Sequence, residues 1–402
     1  MKCRCCGSEN LESVLDLGRQ PWGNDYARFG ESQRGQEYSL CFYVCNDCMM
    51  AQIDSTIPKE IMFVNHTYMS GTTKSLKQHF VQVGRAIAGK TQFGESDYIL
   101  DIGGNDGTFL EYFKENGIGA LNIDSGRLQA EISNARGIPC INKFFNRITA
   151  REIIDEHGKA AVIHGSGILF HLEELHDAFW GIKELLADDG MLVAEFIYLP
   201  DMMKHCAYDQ IYHEHLVYYS LHSFQYLLEQ FDLEIYDAEL KAVHGGSCIA
   251  YITHKGAKTQ TARLANLKNQ EIEDGIETMQ TYHEFGDRVK KHKVNFLKVI
   301  GKLRADGKRI QALGAPVKGS TIINYCKLTT EEIECGVEIN PHKFDTYFPG
   351  TKIPVYDQDK TPEPDVYLLL AWNFKDEILP KLQSFRDKGG QILIPIPCSE
   401  LI

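Results

Sequence analysis

The apolar run Tyr98-Ile-Leu-Asp-Ile102 ends at a glycine-rich turn, Gly103-Gly-Asn-Asp-Gly107, and an amphipathic stretch continues from Thr108 to Asn116. A short apolar run bounded by glycine predicts a buried parallel strand, and the glycines and amphipathic stretch after it predict a turn and a helix. Ala120-Leu-Asn-Ile-Asp124 then predicts a second strand, ending in an acid. The alternation continues with Ala160-Ala-Val-Ile163 as strand, Leu172 to Ala187 as helix and Gly190-Met-Leu-Val-Ala-Glu-Phe196 as strand. Repeated strand and helix of this kind predict a doubly wound α/β sheet. Upstream, a helical pattern runs from about Thr73 to Lys90, and downstream residues 221–253 read as strand-like segments with a turn at His244-Gly-Gly-Ser247. From about Thr261 to Ala305 the pattern predicts one long polar helix. Glu271, Glu273, Asp274, Lys290 and Lys291 make most of it a solvated bridge between domains. A second α/β unit comes next, with Arg309-Ile-Gln-Ala-Leu313 as strand, Gly314-Ala-Pro-Val-Lys-Gly319 as turn and Ser320 to Tyr325 as helix.

Composition narrows the class. A chain of 402 residues with 43% hydrophobic and 10% aromatic content has room for two or three domains. A net charge of −13 argues against a nucleic-acid groove, which needs clustered Lys and Arg. No stretch reaches the roughly 18 to 20 apolar residues of a membrane span, and no apolar run comes after the opening Met-Lys-Cys-Arg-Cys-Cys. The expectation is a cytoplasmic protein acting on a small molecule.

Of the twelve cysteines, those in Cys3-x-x-Cys6 and Cys45-x-x-Cys48 form two knuckles, each able to fill two corners of a Zn²⁺ tetrahedron. Cys3, Cys6, Cys45 and Cys48 are therefore the expected ligands, with Cys5 and Cys41 as substitutes. Four thiolates leave no position open for catalysis, so the expected role of the metal is structural.

Candidate chemistry gathers at two places. The turn Asp101-x-Gly103-x-Asn105-Asp106-Gly107 lacks the G-x-G-x-x-G arrangement that seats a pyrophosphate, and so favours S-adenosylmethionine over a dinucleotide. Asp124, at the end of the next strand, stands where a carboxylate holds ribose hydroxyls. Downstream, Tyr212-His-Glu-His215 collects a hydroxyl donor, a carboxylate and two imidazoles, the groups that enolate chemistry needs near neutral pH. His171, just past the strand end at His164-Gly-Ser-Gly167, is a further candidate to reach substrate. Lys318 and the amides near Gly319 form a candidate anion site at a helix start.

Together these residues resemble the three-domain S-adenosylmethionine-dependent C-methyltransferases that act on nucleotide-linked keto-deoxysugars. The resemblance rests on the Cys knuckles, Leu100-Asp-Ile-Gly-Gly-Asn-Asp-Gly-Thr-Phe-Leu110, Ile211-Tyr-His-Glu-His215 with Tyr219-Ser220, and Gly314-Ala-Pro-Val-Lys-Gly319. Further matches are Asn340-Pro341, Phe348-Pro-Gly350, Leu370-Ala-Trp-Asn-Phe374 and Gly389-Gly390. It implies a zinc-binding lobe over residues 1–70, a methyltransferase domain over 71–260 and a Rossmann-like domain over 261–402 that helps hold the nucleotide sugar. It also implies His215 as general base, with Tyr212 and Glu214 beside it and His171 near the sugar. Tyr68, Ser70 and Asn24 become contributors to the cleft. The expected state is a monomer. Departures from the family pattern are Gly167 in place of asparagine, Ser125 after Asp124 in place of proline, and Pro316, which removes an amide donor from the turn.

The expected reaction is methylation of a 4-keto-6-deoxysugar at C3′ through an enolate. Competing readings are transfer to oxygen or nitrogen, a noncatalytic sugar-nucleotide binding protein, and an RNA methyltransferase, which the net charge opposes.

Overall fold

The computed structural model describes residues 1–31, 35–64, 66, 68–72, 74–242 and 245–402. Among the described residues, the strands form three sheets of four, seven and eight strands. The central sheet carries Tyr98–Ile102, Gly119–Ile123, Cys140–Ile141, Ala160–Ser166 and Leu186–Ile197 in parallel, and Ser247–His254 and Leu233–Lys241 complete it antiparallel. All five residues of Tyr98–Ile102 are buried, as a strand covered on both faces must be. The parallel arrangement aims the strand ends at one edge, where the Gly103 turn, Asp124 and the residues after Ser166 come together.

The N-terminal sheet pairs Leu11–Pro21, Glu37–Cys45 and Ala51–Ile53 antiparallel, and its fourth strand comes from far along the chain. That strand is Val217–Tyr218, two residues after His215, in register with Gln52 and Ala51. The eight-stranded sheet is centred on Ile310–Leu313, which pairs parallel with Cys335–Glu338 and Val366–Leu369. Its edge strand Ala27–Arg28 is supplied by the N-terminal segment and pairs with Thr346–Tyr347. The N-terminal segment therefore joins the eight-stranded sheet at one strand, while the chain after His215 joins the N-terminal sheet at another.

Two expected elements differ. The single long helix is two, Ala262–Glu273 and Met279–Ala305. Gly275, at φ +70°, takes the left-handed position after the first helix, and the amide of Ile276 bonds back to the Glu271 carbonyl, closing its end. Nor is the second helix mainly a solvated bridge. It buries Tyr282, Phe285, Val289, Phe296, Ile300 and Leu303, each of which contributes roughly 1.5–3 kcal/mol of burial. Gly286 lets it approach the strand Leu11–Pro21, since a Cβ there would lie 2.5 Å from the Val14 carbonyl oxygen. Charged residues spaced along its outer face masked an apolar stripe of helical period.

Within 221–253, expected to be strand-like, Leu221–Glu229 is a helix. Ser220 accepts from the Ser223 amide and the Ser223 hydroxyl returns to the Ser220 amide, a reciprocal cap that starts the helix. The helix expected from Thr73 runs over Lys74–Ala88. Thr73 and His244 lie outside the described residues. Among the described residues, no helix is long and apolar enough to cross a membrane.

Candidate active site

Cys3, Cys6, Cys45 and Cys48 meet with their sulfur atoms all within 4.8 Å of one another. Cys3 Sγ lies 3.6 Å from Cys48 Sγ, and Cys6 Sγ lies 3.6 Å from Cys45 Sγ. A tetrahedron with Zn–S bonds near 2.3 Å has edges of about 3.8 Å, so the four sulfurs fit zinc. Of the two substitutes, Cys41 stands elsewhere, its Sγ 3.0 Å from Ser13 Oγ, whereas Cys5 borders the cluster, its amide donating to Cys3 Sγ at 3.4 Å and its sulfur beside the Gln230 amide.

The loops at the strand ends enclose a cavity of about 1810 Å³, lined by residues of all three sheets' connections. On its cofactor side the turn after Tyr98–Ile102 is tightly determined. Gly103 (φ +65°) and Asn105 (φ +52°) take left-handed conformations. A Cβ on Gly104 would lie 2.4 Å from Asn122 Oδ1 and 2.6 Å from Asp101 Oδ2, so only glycine fits. The Asn105 amide donates to Asp124 Oδ2 at 2.9 Å and the Gly126 amide to Asp124 Oδ1 at 2.7 Å. Burial pushes the Asp124 carboxyl up to about 6, against those two amides, which favour its anion. Its oxygens retain acceptor capacity toward the cavity, which suits a ribose diol.

Gly103, Asn105 and Asp124 line the cavity. Asp101 and Asp106, expected with them, do not, and their carboxylates are engaged behind the turn. Asp101 Oδ1 pairs with His164 Nδ1 at 2.7 Å, and the His164 ring stacks on Phe109 at 3.7 Å. Asp106 accepts from the Gly71 amide at 3.1 Å and from Arg136 at 3.2 Å. Both brace the turn through these contacts. The Asn105 side chain accepts from the Ser70 amide and donates to the Tyr68 carbonyl, which docks residues 68–71 over the turn. Tyr68 itself is 56% exposed at the cavity rim.

Across the cavity, Tyr212, Glu214, His215 and His171 come together. The His215 and Tyr212 ring centroids are 3.8 Å apart, and those of His215 and His171 are 5.1 Å apart. His215 Nδ1 lies 2.8 Å from the Gln210 carbonyl oxygen, which can only accept. In the neutral ring Nδ1 therefore carries the proton and Nε2 carries the lone pair. This orienting contact comes from a backbone carbonyl that sequence reasoning had no means of finding. The carboxylate expected to orient the ring, Glu214, accepts from Trp22 Nε1 at 2.7 Å and from Asn24 Nδ2 at 2.8 Å. Burial raises its pKa, opposed by those two donors and by the charge of Lys343. His213 faces the N-terminal sheet, 3.2 Å from the Ser39 carbonyl.

Burial holds Tyr212 well above the usual phenol range and pushes His171 down to about 4, so at neutral pH the phenol is protonated and the His171 imidazole is neutral. His171 Nδ1 is buried with no hydrogen-bond partner among the described residues. Lys318, Lys343 and Glu338 also line the cavity. Burial lowers the Lys318 ammonium to about 8, opposed by the charge of Asp209. Gly319 does not line the cavity; a Cβ there would meet Leu370 at 2.7 Å, so its smallness serves helix packing. Sequence reasoning missed Lys343 and Glu338, although both flank the Asn340-Pro341 match.

This constellation defines a class I methyltransferase fold joined to a four-cysteine zinc lobe and a second α/β domain. Family models agree along nearly the whole chain: "Putative zinc binding domain" matches residues 3–63, "Methyltransferase domain" 77–238 and "C-methyltransferase C-terminal domain" 242–397. The three matches together support an S-adenosylmethionine-dependent C-methyltransferase that carries a four-cysteine lobe at its N-terminal end. It is 29% identical over 400 residues to C-methyltransferase NovU of Streptomyces niveus, covering 98% of this chain and 95% of that one. Among solved structures, magnesium protoporphyrin IX methyltransferase of Synechocystis PCC 6803 with bound SAH is similar at 12% identity and TM-score 0.35, covering 44% of this chain and 83% of that chain. The CcbJ methyltransferase of Streptomyces caelestis matches at 10% identity and TM-score 0.35, covering 44% and 90%.

Proposed function

We propose that this C-methyltransferase acts on a nucleotide-linked 4-keto-6-deoxysugar and methylates C3′ through an enolate, with His215 as the base. The observation that carries the reading is the Nδ1 contact of His215 with the Gln210 carbonyl, which leaves the basic lone pair on Nε2 of a ring lining the cavity. A carbon acid needs such a base, whereas a hydroxyl or amine nucleophile does not require an enolate at all. The ketone at C4′ acidifies the adjacent C3′ proton, because the carbanion left by its removal delocalises onto the carbonyl oxygen. His215 takes that proton, and the electron pair stays on the sugar.

The enolate oxygen needs a donor. Tyr212, held in its protonated form by burial, and His171, whose buried Nδ1 has no partner among the described residues, are the donors beside His215. When bound, S-adenosylmethionine supplies an electrophilic methyl group that the carbanionic carbon takes, leaving a neutral thioether. Gly103, Asn105 and Asp124 are assigned to its binding, with Asp124 on the ribose. Lys318 is assigned to the nucleotide phosphates, since it is a cation lining the cavity. Tyr68 is assigned to the rim above the substrate. The zinc lobe carries no open metal position and is structural.

Methyl transfer from labelled S-adenosylmethionine to a panel of nucleotide-linked 4-keto-6-deoxysugars tests this, with the His215→Asn variant alongside. The expected result is a carbon-bound methyl and a loss of about 10²- to 10⁴-fold in the variant with S-adenosylmethionine affinity kept. A methyl on oxygen or nitrogen, or an unaffected variant, overturns it.

A further inference from the structure

The segment that carries His215 is tied to the C-terminal part of the chain at two points just upstream of it. Asp209 is fully buried, and its Oδ2 accepts from the indole N–H of Trp372 at 2.6 Å. Thr321 Oγ1 donates to the carbonyl of Ile211 at 3.1 Å. Between these two anchors lies Gln210, whose carbonyl accepts from His215 Nδ1 at 2.8 Å and from the Tyr218 hydroxyl at 3.3 Å. Trp372 is itself held in place. It begins the 3₁₀ turn Trp372–Phe374 after the strand Val366–Leu369, and Gly245 passes close above its ring, where a Cβ would lie 3.0 Å from Cη2. Asp209 Oδ1 is buried without a hydrogen-bond partner among the described residues, although the charge of Lys318 acts on the group. A buried carboxylate in that state is costly. Packing alone does not call for a carboxylate here; what it does is fix the backbone at the residue before Gln210.

We infer that Trp372, Asp209 and Thr321 are positioning residues for the methyl transfer: they fix the Gln210 carbonyl, and through it the tautomer and direction of His215. None of them is placed to touch the reacting atoms. Asp209 and Thr321 do not line the cavity, and Trp372 reaches the base only through two intervening residues. The C-terminal part of the chain thereby has two tasks, since it both contributes a wall of the cavity and sets the base. An indole that swings away leaves Asp209 only its local backbone contacts and the charge of Lys318, so the 3₁₀ turn Tyr208–Gln210 loses its outer anchor and the carbonyl no longer selects the Nδ1–H form.

The inference rests on His215 being the base, and the test separates the two. Trp372→Phe keeps most of the ring volume and removes the N–H donor. Thr321→Val removes the second anchor at nearly constant shape, and it stands in if the tryptophan variant is poorly folded. The His215 imidazole is assigned in ¹⁵N spectra by the signal lost in His215→Asn, and its tautomer is read at neutral pH. The expected result is an Nδ1–H tautomer in the parent that becomes a mixture in Trp372→Phe. Alongside it, kcat should fall about ten- to a hundredfold while KM for both substrates stays within about twofold, the signature of a misplaced catalytic group. An unchanged tautomer with unchanged kcat overturns the inference. So does a loss shared equally between kcat, KM and thermal stability, which marks a merely structural contact. If the tautomer responds while His215→Asn remains active, the positioning geometry stands and the assignment of the base falls.

Discussion

Trp22 and Glu214, 192 positions apart, meet through an indole N–H that donates to Glu214 Oε1 at 2.7 Å. The contact joins the N-terminal segment to the loop that carries His215, and Asn24 adds a second donor to the same oxygen at 2.8 Å. Removing the indole donor leaves a partly buried carboxylate with one bond fewer, which costs about 1 kcal/mol. Trp22→Phe should therefore lower the urea midpoint accordingly, and Glu214→Gln, which keeps an acceptor oxygen for both donors, should lower it less. Equilibrium unfolding of the two variants checks the order.

The zinc lobe supports the site from a distance. The strand Glu37–Cys45 ends at a sulfur of the cluster and pairs with Ala51–Ile53, which in turn pairs with Val217–Tyr218. Cys48→Ala should reduce bound zinc from about one equivalent to far below it, and should lower the thermal midpoint by more than about 5 °C, because the metal's binding energy is folding energy. Metal analysis by mass spectrometry together with calorimetry reads both.

Asp124 gives a pH dependence with a defined sign. Its folded-state pKa is raised from 3.8 to about 6 by burial, so between those values the folded chain holds a proton that the unfolded chain has released. This group's contribution to stability therefore rises as pH falls through that window. Ligand affinity runs the other way, since a ribose diol donates to the carboxylate and not to its protonated form. Affinity for S-adenosylhomocysteine should fall about tenfold from about pH 7.5 to about pH 5, and the Asp124→Asn variant should show a flatter profile. Calorimetric titration across that range measures it.

Two glycines should fail in different ways. Gly104→Ala would place a Cβ 2.4 Å from Asn122 Oδ1, so the cofactor turn must open and S-adenosylmethionine affinity should drop at least about tenfold. Gly319→Ala would press on Leu370 at 2.7 Å and should cost about 1–3 kcal/mol of stability, with a smaller effect on cofactor binding. Binding isotherms and unfolding curves on both variants distinguish them.

The elements most legible in the sequence were those set by local signals. The apolar run Tyr98–Ile102 is a strand with those ends, and Ile310–Leu313 differs from expectation by one residue. The spacing of Cys3, Cys6, Cys45 and Cys48 led to one cluster, because two thiols with two residues between them can face one point. What stayed hidden depends on tertiary contact. The break at Gly275 lies within a charged, helix-favouring stretch, and the burial of Met279–Ala305 comes from the sheet it packs against. In the site, the motif drew His215, Tyr212 and Glu214 together, but the partners of two of them carry no sequence signal: His215 is met by the backbone of Gln210 and Glu214 by Trp22 and Asn24, about 190 positions away. Asp101 and Asp106 show the converse, since an acidic residue in a cofactor turn reads the same whether it faces the ligand or braces the turn from behind.

The central claim is that His215 removes a carbon-bound proton. Incubating the protein with S-adenosylhomocysteine and a nucleotide-linked 4-keto-6-deoxysugar in heavy water, and tracking the C3′ proton by NMR, tests it without any methyl transfer. Deuterium should enter at C3′ at least about a hundredfold faster with the parent protein than with His215→Asn. Equal exchange in the two, at the rate seen without protein, would contradict the assignment of His215 as the base that generates the enolate.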